Sequence, residues 1–183
     1  MKKFSYILLL GISVALTSCG KGADKGEEVD VRTYQLSEKS RSGEFAMQSS
    51  SAKGDAEIKG MKFHYQIDRT PSDQLPKVKD EQGNSFVDNT IDLNITKDGK
   101  TLLTKRFTKK DFSSQVAADF LKNSILEGFV FDRVVDGKLR FAASVCYPQT
   151  DLFVPLCVTV STNGELRIEK GSVLEDEIPG RNN

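Results

Sequence analysis

The chain has 183 residues, with 26 basic and 26 acidic side chains, one histidine and no tryptophan. This balance leaves no excess of positive charge for a nucleic-acid backbone, so we predict no nucleic-acid partner. A single histidine excludes multi-histidine zinc sites and mechanisms that need two imidazoles. The length suits one domain with a tail.

Residues 1–18 are predicted to be a lipoprotein signal peptide. Two lysines at positions 2 and 3 precede an apolar run over residues 4–16. This is the pattern of a secretory signal, and the run is shorter than the about 20 residues of a membrane span. The letters LTSC at residues 16–19 resemble the bacterial lipobox. That resemblance implies cleavage before Cys19 and attachment of acyl chains to its sulfur.

The lipid would make the membrane a partner of the mature chain. Two or three acyl chains hold a protein stably on a bilayer, whereas one does not. Gly20 follows Cys19, so the aspartate that retains some lipoproteins at the inner membrane is absent. We therefore expect the outer membrane of the cell envelope, with the periplasmic or surface face left open.

Residues 19–57 are predicted to be the lipidated anchor followed by a flexible tether. They are rich in glycine, serine, lysine and acidic residues, a composition that cannot bury enough apolar surface to fold. Within them, residues 31–36 have the pattern of a short strand.

Residues 58–178 are predicted to be a single mainly-β domain, and residues 179–183 a C-terminal tail. Apolar and polar side chains alternate over residues 61–67, which indicates a strand with one buried face. Two prolines and a glycine predict a long loop over residues 69–88.

Two further segments complete the first half of this domain. Residues 91–107 contain two alternating runs joined by Asp98-Gly99, which predicts a β-hairpin. Over residues 113–127 the apolar side chains follow the i, i+4 spacing of a helix.

The chain after this helix reads as an antiparallel meander of four strands. The runs FVFDRVV, KLRFAASVCY, LFVPLCVTV and ELRIEK are separated by three tight turns. One apolar face is expected to contain Leu139, Phe141, Ala143 and Val145, opposed in the tight register by Val160, Val158, Leu156 and Val154. The predicted fold is α+β and mainly β, an antiparallel meander sheet with one helix packed on that face. A small β-barrel or sandwich is the alternative.

Three stretches resemble a known family. They are DRTPSDQLPKVKDEQGNSFVDNTIDLNIT, ILEGFVFDRVVDGKLRFAASVCYPQTD and the lipobox. Together they resemble small envelope lipoproteins of Bacteroidetes that carry a domain of unknown function, over most of residues 58–170. The resemblance implies an envelope location and such a host, and it carries over no catalytic residue.

Cys146 and Cys157 are a candidate disulfide, because an exported chain permits one. A tight turn at residues 148–151 places Cys146 opposite Phe153, which separates the two cysteines beyond the roughly 7 Å limit. A wide loop over residues 147–156 places them face to face. The sequence leaves both alternatives open.

No catalytic motif, metal site or cofactor site is assigned. The run at residues 80–88 is rich in oxygen ligands, but it lacks the EF-hand pattern, and a polar turn explains it equally well. His64 is predicted to be exposed. The leading hypothesis is a non-enzymatic binding or assembly module for an envelope protein or a small ligand, with Arg69, Asp73 and Asp80 as polar contacts. The alternative is a small envelope hydrolase with paired carboxylates.

Overall fold

The computed structural model describes residues 44–171. The predicted signal peptide, Cys19, the tether before residue 44, the strand at residues 31–36 and the tail at residues 179–183 lie outside this range. Within it, the helical segments are too short and too polar to cross a membrane.

The described chain forms three sheets and one short helix. The strands are β1 Glu44–Phe45, β2 Ser50–Ile58, β3 Met61–Pro71, β4 Val78–Lys79, β5 Ser85–Phe86, β6 Asn89–Lys97, β7 Lys100–Phe107, β8 Ile125–Val135, β9 Lys138–Cys146, β10 Phe153–Ser161 and β11 Leu166–Lys170. A 3₁₀ turn at Lys109–Phe112 and helix α1 at Ala118–Lys122 separate β7 from β8. Sheet I has the order β2-β3-β6-β7, sheet II the order β11-β10-β9-β8, and the small sheet the order β1-β5-β4.

Sheets I and II are antiparallel throughout and share one core. Aromatic rings join them: Tyr65 of β3 stacks on Phe131 of β8 at 4.6 Å, and Phe107 of β7 lies 5.1 Å from Phe129 of β8. The mainly-β antiparallel fold with one helix is confirmed, and the described strands form no closed barrel. Sheet I packs against the apolar face of the meander through these rings and the shared core, which is the layering expected of a sandwich.

The predicted turns and register of the meander are confirmed. Asp136 and Gly137 have φ angles of 50° and 70°, as a two-residue hairpin turn requires. Leu139 pairs with Val160, and Cys146 pairs with Phe153. Alternation in the two strands allows only this register to keep both apolar faces in the core.

The predicted helix over residues 113–127 is wrong in its extent. Helix α1 is five residues long, Ala118–Lys122, and Ile125 already belongs to β8. Phe120 and Leu121 do pack on the core. The i, i+4 spacing predicted too long a helix, because an apolar residue at its end is buried in a different way. Ile125 is buried as part of strand β8, where it pairs with Cys146.

The predicted flexible segment is wrong over residues 50–57. They form β2, which pairs with β3 from Ser50 opposite Arg69 to Ile58 opposite Met61. The side chain of Tyr65 occupies the space that a Cβ on Gly54 would need. A side chain at position 54 would have to displace the Tyr65 ring. The other positions of β2 are mostly exposed and carry small or charged side chains, so the sequence of this edge strand looks like a low-complexity tether.

We predict that Phe141→Ala destabilises the domain by about 3–5 kcal/mol, the usual loss for a buried phenylalanine. Phe141 is fully buried, and its ring lies 5.6 Å from both Phe129 and Phe131. Urea unfolding would measure the loss. Val130→Ala is the control, because Val130 is 56% exposed on the same sheet, and it should change stability by less than about 0.5 kcal/mol. Equal effects of the two variants would contradict the shared core.

Candidate functional site

The segment after β3, residues 72–88, is folded onto the domain rather than extended into solvent. It contains β4 and β5, which pair with each other, while β5 also pairs in parallel with β1. We call it loop 72–88. The long loop predicted at residues 69–88 is thus corrected, since β3 continues to Pro71 and Val78 and Phe86 are buried against Ile125 and Cys146.

Four buried polar residues lie where loop 72–88 rejoins the sheets. They are Asp88, Asn89, Lys109 and Ser124, and we call them the Asp88 cluster. Asp88 is 1% exposed, and its Oδ1 accepts hydrogen bonds of 2.8 Å from the backbone N–H groups of Asn89 and Leu126. Its Oδ2 lies 3.3 Å from the Lys109 ammonium.

The other members join the same strands. Lys109 Nζ donates to the carbonyl of Ser124 at 2.6 Å, and Asn89 Nδ2 donates to the carbonyl of Leu126 at 2.9 Å. Asn89 Oδ1 is buried without a hydrogen-bond partner. The Asp88 cluster therefore ties the start of β6, the turn after β7 and the start of β8 together.

The cluster is built to stabilise structure, since Asp88 and Ser124 are shielded from solvent. A buried carboxylate requires a countercharge and hydrogen-bond donors, and Lys109 with two backbone N–H groups supplies them. Substrate atoms have no route to a carboxylate that is 1% exposed. Asp88 thus fixes the base of loop 72–88 to the neighbouring strands through these contacts, and we call this arrangement the Asp88 clamp.

Arg69 lies next to the Asp88 clamp. The sequence predicted it as a binding contact and gave no sign of this structural position. Its Nη1 donates to the carbonyl of Glu127 at 2.8 Å, and its Nη2 donates to the carbonyl of Gln48 at 3.2 Å. The guanidinium therefore holds the chain before β2 against the start of β8. That is a structural role for these two donors.

Asp73 and Asp80 lie on the exposed part of loop 72–88 and have separate partners. The Asp73 carboxylate is 84% exposed and lies 3.9 Å from Lys77 Nζ. Asp80 accepts hydrogen bonds from the backbone and the side chain of Asn84, at 2.8 and 2.7 Å. The bond from the Asn84 side chain is the main cause that lowers the pKa of Asp80. The structure does not bring Arg69, Asp73 and Asp80 together into one site.

The oxygen-rich run at residues 80–88 forms a turn in which Asp80 and Asp88 have different partners. Asp80 closes the turn through Asn84, whereas Asp88 is buried beside Lys109. Among residues 44–171, no group of three or more histidine, cysteine or acidic side chains is arranged to hold a metal ion.

Both cysteines in the described range are free thiols. Because Cys157 is opposite Ala142 rather than Cys146, the tight-turn alternative holds and the candidate disulfide is corrected. Burial raises the pKa of Cys146, and its hydrogen bond to Glu127 raises it further. Burial also raises the pKa of Cys157. Neither environment activates a nucleophile, which needs a depressed thiol pKa.

The exposed face of sheet I carries the acids that a hydrolase would need. Asp68 and Asp92 are cross-strand partners there, but Arg106 donates two hydrogen bonds of 2.7 Å to Asp92. Those bonds keep the pKa of Asp92 below its usual value. A general acid must hold a proton near neutral pH, so Asp92 does not fit that role.

His64 is exposed as predicted, with 47% of its side chain in solvent, and its Nδ1 lies 3.0 Å from Asp55. The two residues line a surface depression of about 490 Å³ together with Lys62 and Thr96. The hydrogen-bond partner of the imidazole is the Asp55 carboxylate and not the Thr96 hydroxyl, so the imidazole does not activate a nucleophile and we assign the depression no reaction.

The Asp88 cluster was missed by the sequence analysis. Asp88-Asn89 stands between Val87 and Ile91, and a polar pair inside an apolar run was a usable signal for burial. Lys109 gave no signal, because Lys110 beside it is chemically identical and is exposed.

The family described as a domain of unknown function (DUF4738) matches residues 30–168. This chain belongs to that family. The match spans loop 72–88, the Asp88 cluster and both large sheets, and it begins before β1. A search of curated proteins finds no match to the chain.

We predict that Lys109→Met destabilises the domain by about 3–5 kcal/mol, because it leaves the buried Asp88 carboxylate without a countercharge. Urea unfolding would measure the loss. Adding Asp88→Asn to Lys109→Met should recover part of it, since the unpaired charge is then removed. Arg106→Met is the matched control at an exposed ion pair and should shift the unfolding midpoint far less. If the losses in the free energy of unfolding from Lys109→Met and Asp88→Asn simply added in the double variant, the pairing of Asp88 with Lys109 would be contradicted.

We predict that the Cys146 and Cys157 thiols react slowly with Ellman's reagent at neutral pH, Cys146 more slowly because it is more buried. The assay would use the Cys19→Ala chain without its signal peptide, so that two thiols are present. Both should titrate fully once the chain is denatured. A denatured sample that releases no thiol without reductant would mean that the cysteines are bonded.

Proposed function

We propose that this protein is a lipid-anchored protein of the bacterial cell envelope that acts as a non-enzymatic binding or assembly module. The proposed lipid anchor is supported by the LTSC run at residues 16–19, which follows a basic start and an apolar segment. The acyl chains on Cys19 hold the mature chain on the outer membrane. The resemblance to Bacteroidetes envelope lipoproteins supports the same location.

Loop 72–88 is the proposed binding surface. Its base is fixed by the Asp88 cluster, and its apolar side chains Val78 and Phe86 are buried. The outer part then presents exposed charged and polar groups, among them Asp73, Lys79 and Glu81, on a backbone that these contacts fix at its base. A preorganised surface loses less entropy on binding than a mobile loop does, which favours recognition of an envelope protein or a small ligand.

The contacts of two acidic residues argue against a paired-carboxylate hydrolase as a second function. Asp92 is held charged by Arg106, and Asp88 is buried beside Lys109. The hydrogen bonds from Arg106 keep the pKa of Asp92 below its usual value, which does not suit a general acid, and burial keeps Asp88 out of reach of a substrate.

We predict that Cys19→Ala abolishes incorporation of labelled palmitate and releases the protein into the soluble fraction. The change removes the sulfur to which the acyl chains attach. Labelling of the native host, followed by membrane fractionation, would measure both effects. Cys157→Ala is the control and should keep label and membrane attachment. Label retained by the Cys19→Ala chain would refute the anchor.

We predict that Asp73→Ala with Lys79→Ala weakens capture of a cross-linked envelope partner or ligand while leaving stability unchanged. The two side chains are exposed on loop 72–88. Glu57→Ala with Lys62→Ala is the matched control, because it removes the same charges from the β2–β3 hairpin at the far end of sheet I. Arg69 is avoided, since its bonds to Glu127 and Gln48 support the fold. Equal capture by the two double variants would exclude loop 72–88 as the binding surface.

A further inference from the structure

Two large apolar side chains stand in solvent at the turn between β9 and β10. Leu152 is 58% exposed and Phe153 is 51% exposed. We call these two residues the 152–153 tip. Val130 and Val134, also on sheet II, are the other large apolar side chains that are exposed within residues 44–171.

The turn that carries the tip is held rigidly. The Leu152 N–H donates to Thr150 Oγ1 at 3.1 Å, and the Leu152 carbonyl accepts from the Tyr147 N–H at 2.9 Å. The Tyr147 ring stacks on Phe120 of α1 at 4.5 Å. Both backbone groups of Leu152 are thus satisfied, and the turn would have to break these bonds to withdraw the tip from water.

The described chain begins at the same end of sheet II. Phe153 pairs with Cys146, and Cys146 pairs with Ile125, so the three residues form one row across the sheet. Phe45 packs against the buried cluster that contains Cys146 and Ile125, and its ring stacks on Phe86 of that cluster at 5.3 Å. Neighbouring strands lie about 5 Å apart, which places Glu44 and Phe45 within a few strand widths of the 152–153 tip.

The length of the chain that joins this end to the anchor limits how far apart the two can lie. Residues 20–43, 24 in number, separate Cys19 from Glu44, and 24 residues span at most about 85 Å. The opposite end of sheet II, at Val134, lies about 30 Å from Ile125 along β8. Length alone would therefore let either end of the sheet reach the bilayer. Because the chain enters the domain beside the tip, the tip end reaches the bilayer with the least extension of residues 20–43, and its contact is favoured.

We propose that the 152–153 tip inserts into the bilayer that carries the Cys19 lipid and orients the domain on it. This proposal rests on the proposed function for the anchor and adds a second membrane contact. An apolar leucine and phenylalanine suit the boundary between headgroups and acyl chains. The anchor keeps the tip at high local concentration near lipid, so a weak contact is sufficient. Exposed Asp151 beside the tip favours a zwitterionic surface over a strongly anionic one.

The chain has no tryptophan, so Phe153→Trp introduces a single fluorescent indole at the tip. Val134→Trp is the matched control, because Val134 is 37% exposed at the far end of the sheet. Each full mature chain would be placed on phosphatidylcholine vesicles whose acyl chains carry bromine, which quenches nearby indole. We expect quenching of Trp at position 153 and none at position 134.

Two arms separate the tip from the anchor. One uses the acylated protein purified from membranes. The other uses the Cys19→Ala chain held by an N-terminal histidine tag on nickel-chelating lipid. If Cys19 carries no acyl chain, the proposed function fails while the tagged arm still tests the tip. If the acylated protein floats with vesicles but position 153 is not quenched, the tip proposal alone is overturned.

A further variant tests whether the contact is apolar. Leu152→Ser in the Phe153→Trp chain should weaken the tip contact by about tenfold, because about half of a leucine side chain is no longer transferred to lipid. Circular dichroism would verify that the fold is retained. Equal quenching at positions 153 and 134, or quenching that Leu152→Ser leaves unchanged, would overturn insertion of the tip.

Discussion

The buried carboxylate of Asp88 is the interaction on which the arrangement of the other parts depends. It is shielded from solvent, receives two backbone N–H groups and lies 3.3 Å from Lys109. Because a buried charge is tolerated only when it is compensated, the start of β6, the turn after β7 and the start of β8 must stay in register with one another. Sheets I and II then pack over one core, and loop 72–88 begins and ends at fixed points.

The titratable groups in and around the core do not suit chemistry with a substrate, so contacts with other molecules are expected at the surface. The thiols of Cys146 and Cys157 have raised pKa values, Asp92 is held by Arg106, and Asp88 is enclosed. Two exposed features of residues 44–171 are the polar part of loop 72–88 and the apolar 152–153 tip. One suits recognition of a partner and the other suits lipid, and both lie at the end of the domain where the described chain begins. A protein anchored beside that end would present both features close to the membrane.

Much of sheet II followed from local patterns, whereas the candidate site did not. Alternation in β9 and β10, with a tight turn between them, predicted the pairing of Cys146 with Phe153 and hence the separation of the cysteines. Of the predicted contacts, Asp73 is exposed on the loop, but Arg69 belongs to the support beneath it. Lys109 could not be distinguished from Lys110 in the sequence, because only packing against Ser124 makes it different.

The sequence by itself determined the hairpin turns and the register of the meander, because turn geometry and a period of two act over a few neighbouring residues. Only the tertiary structure decided the length of α1, the strand at Ser50–Ile58 and the burial of Asp88. Each of these depends on atoms far along the chain: β9 draws Ile125 into a strand, Tyr65 fills the space above Gly54, and Lys109 neutralises Asp88. Such contacts leave no periodic trace in the sequence, since their energy comes from the partner and not from the segment itself.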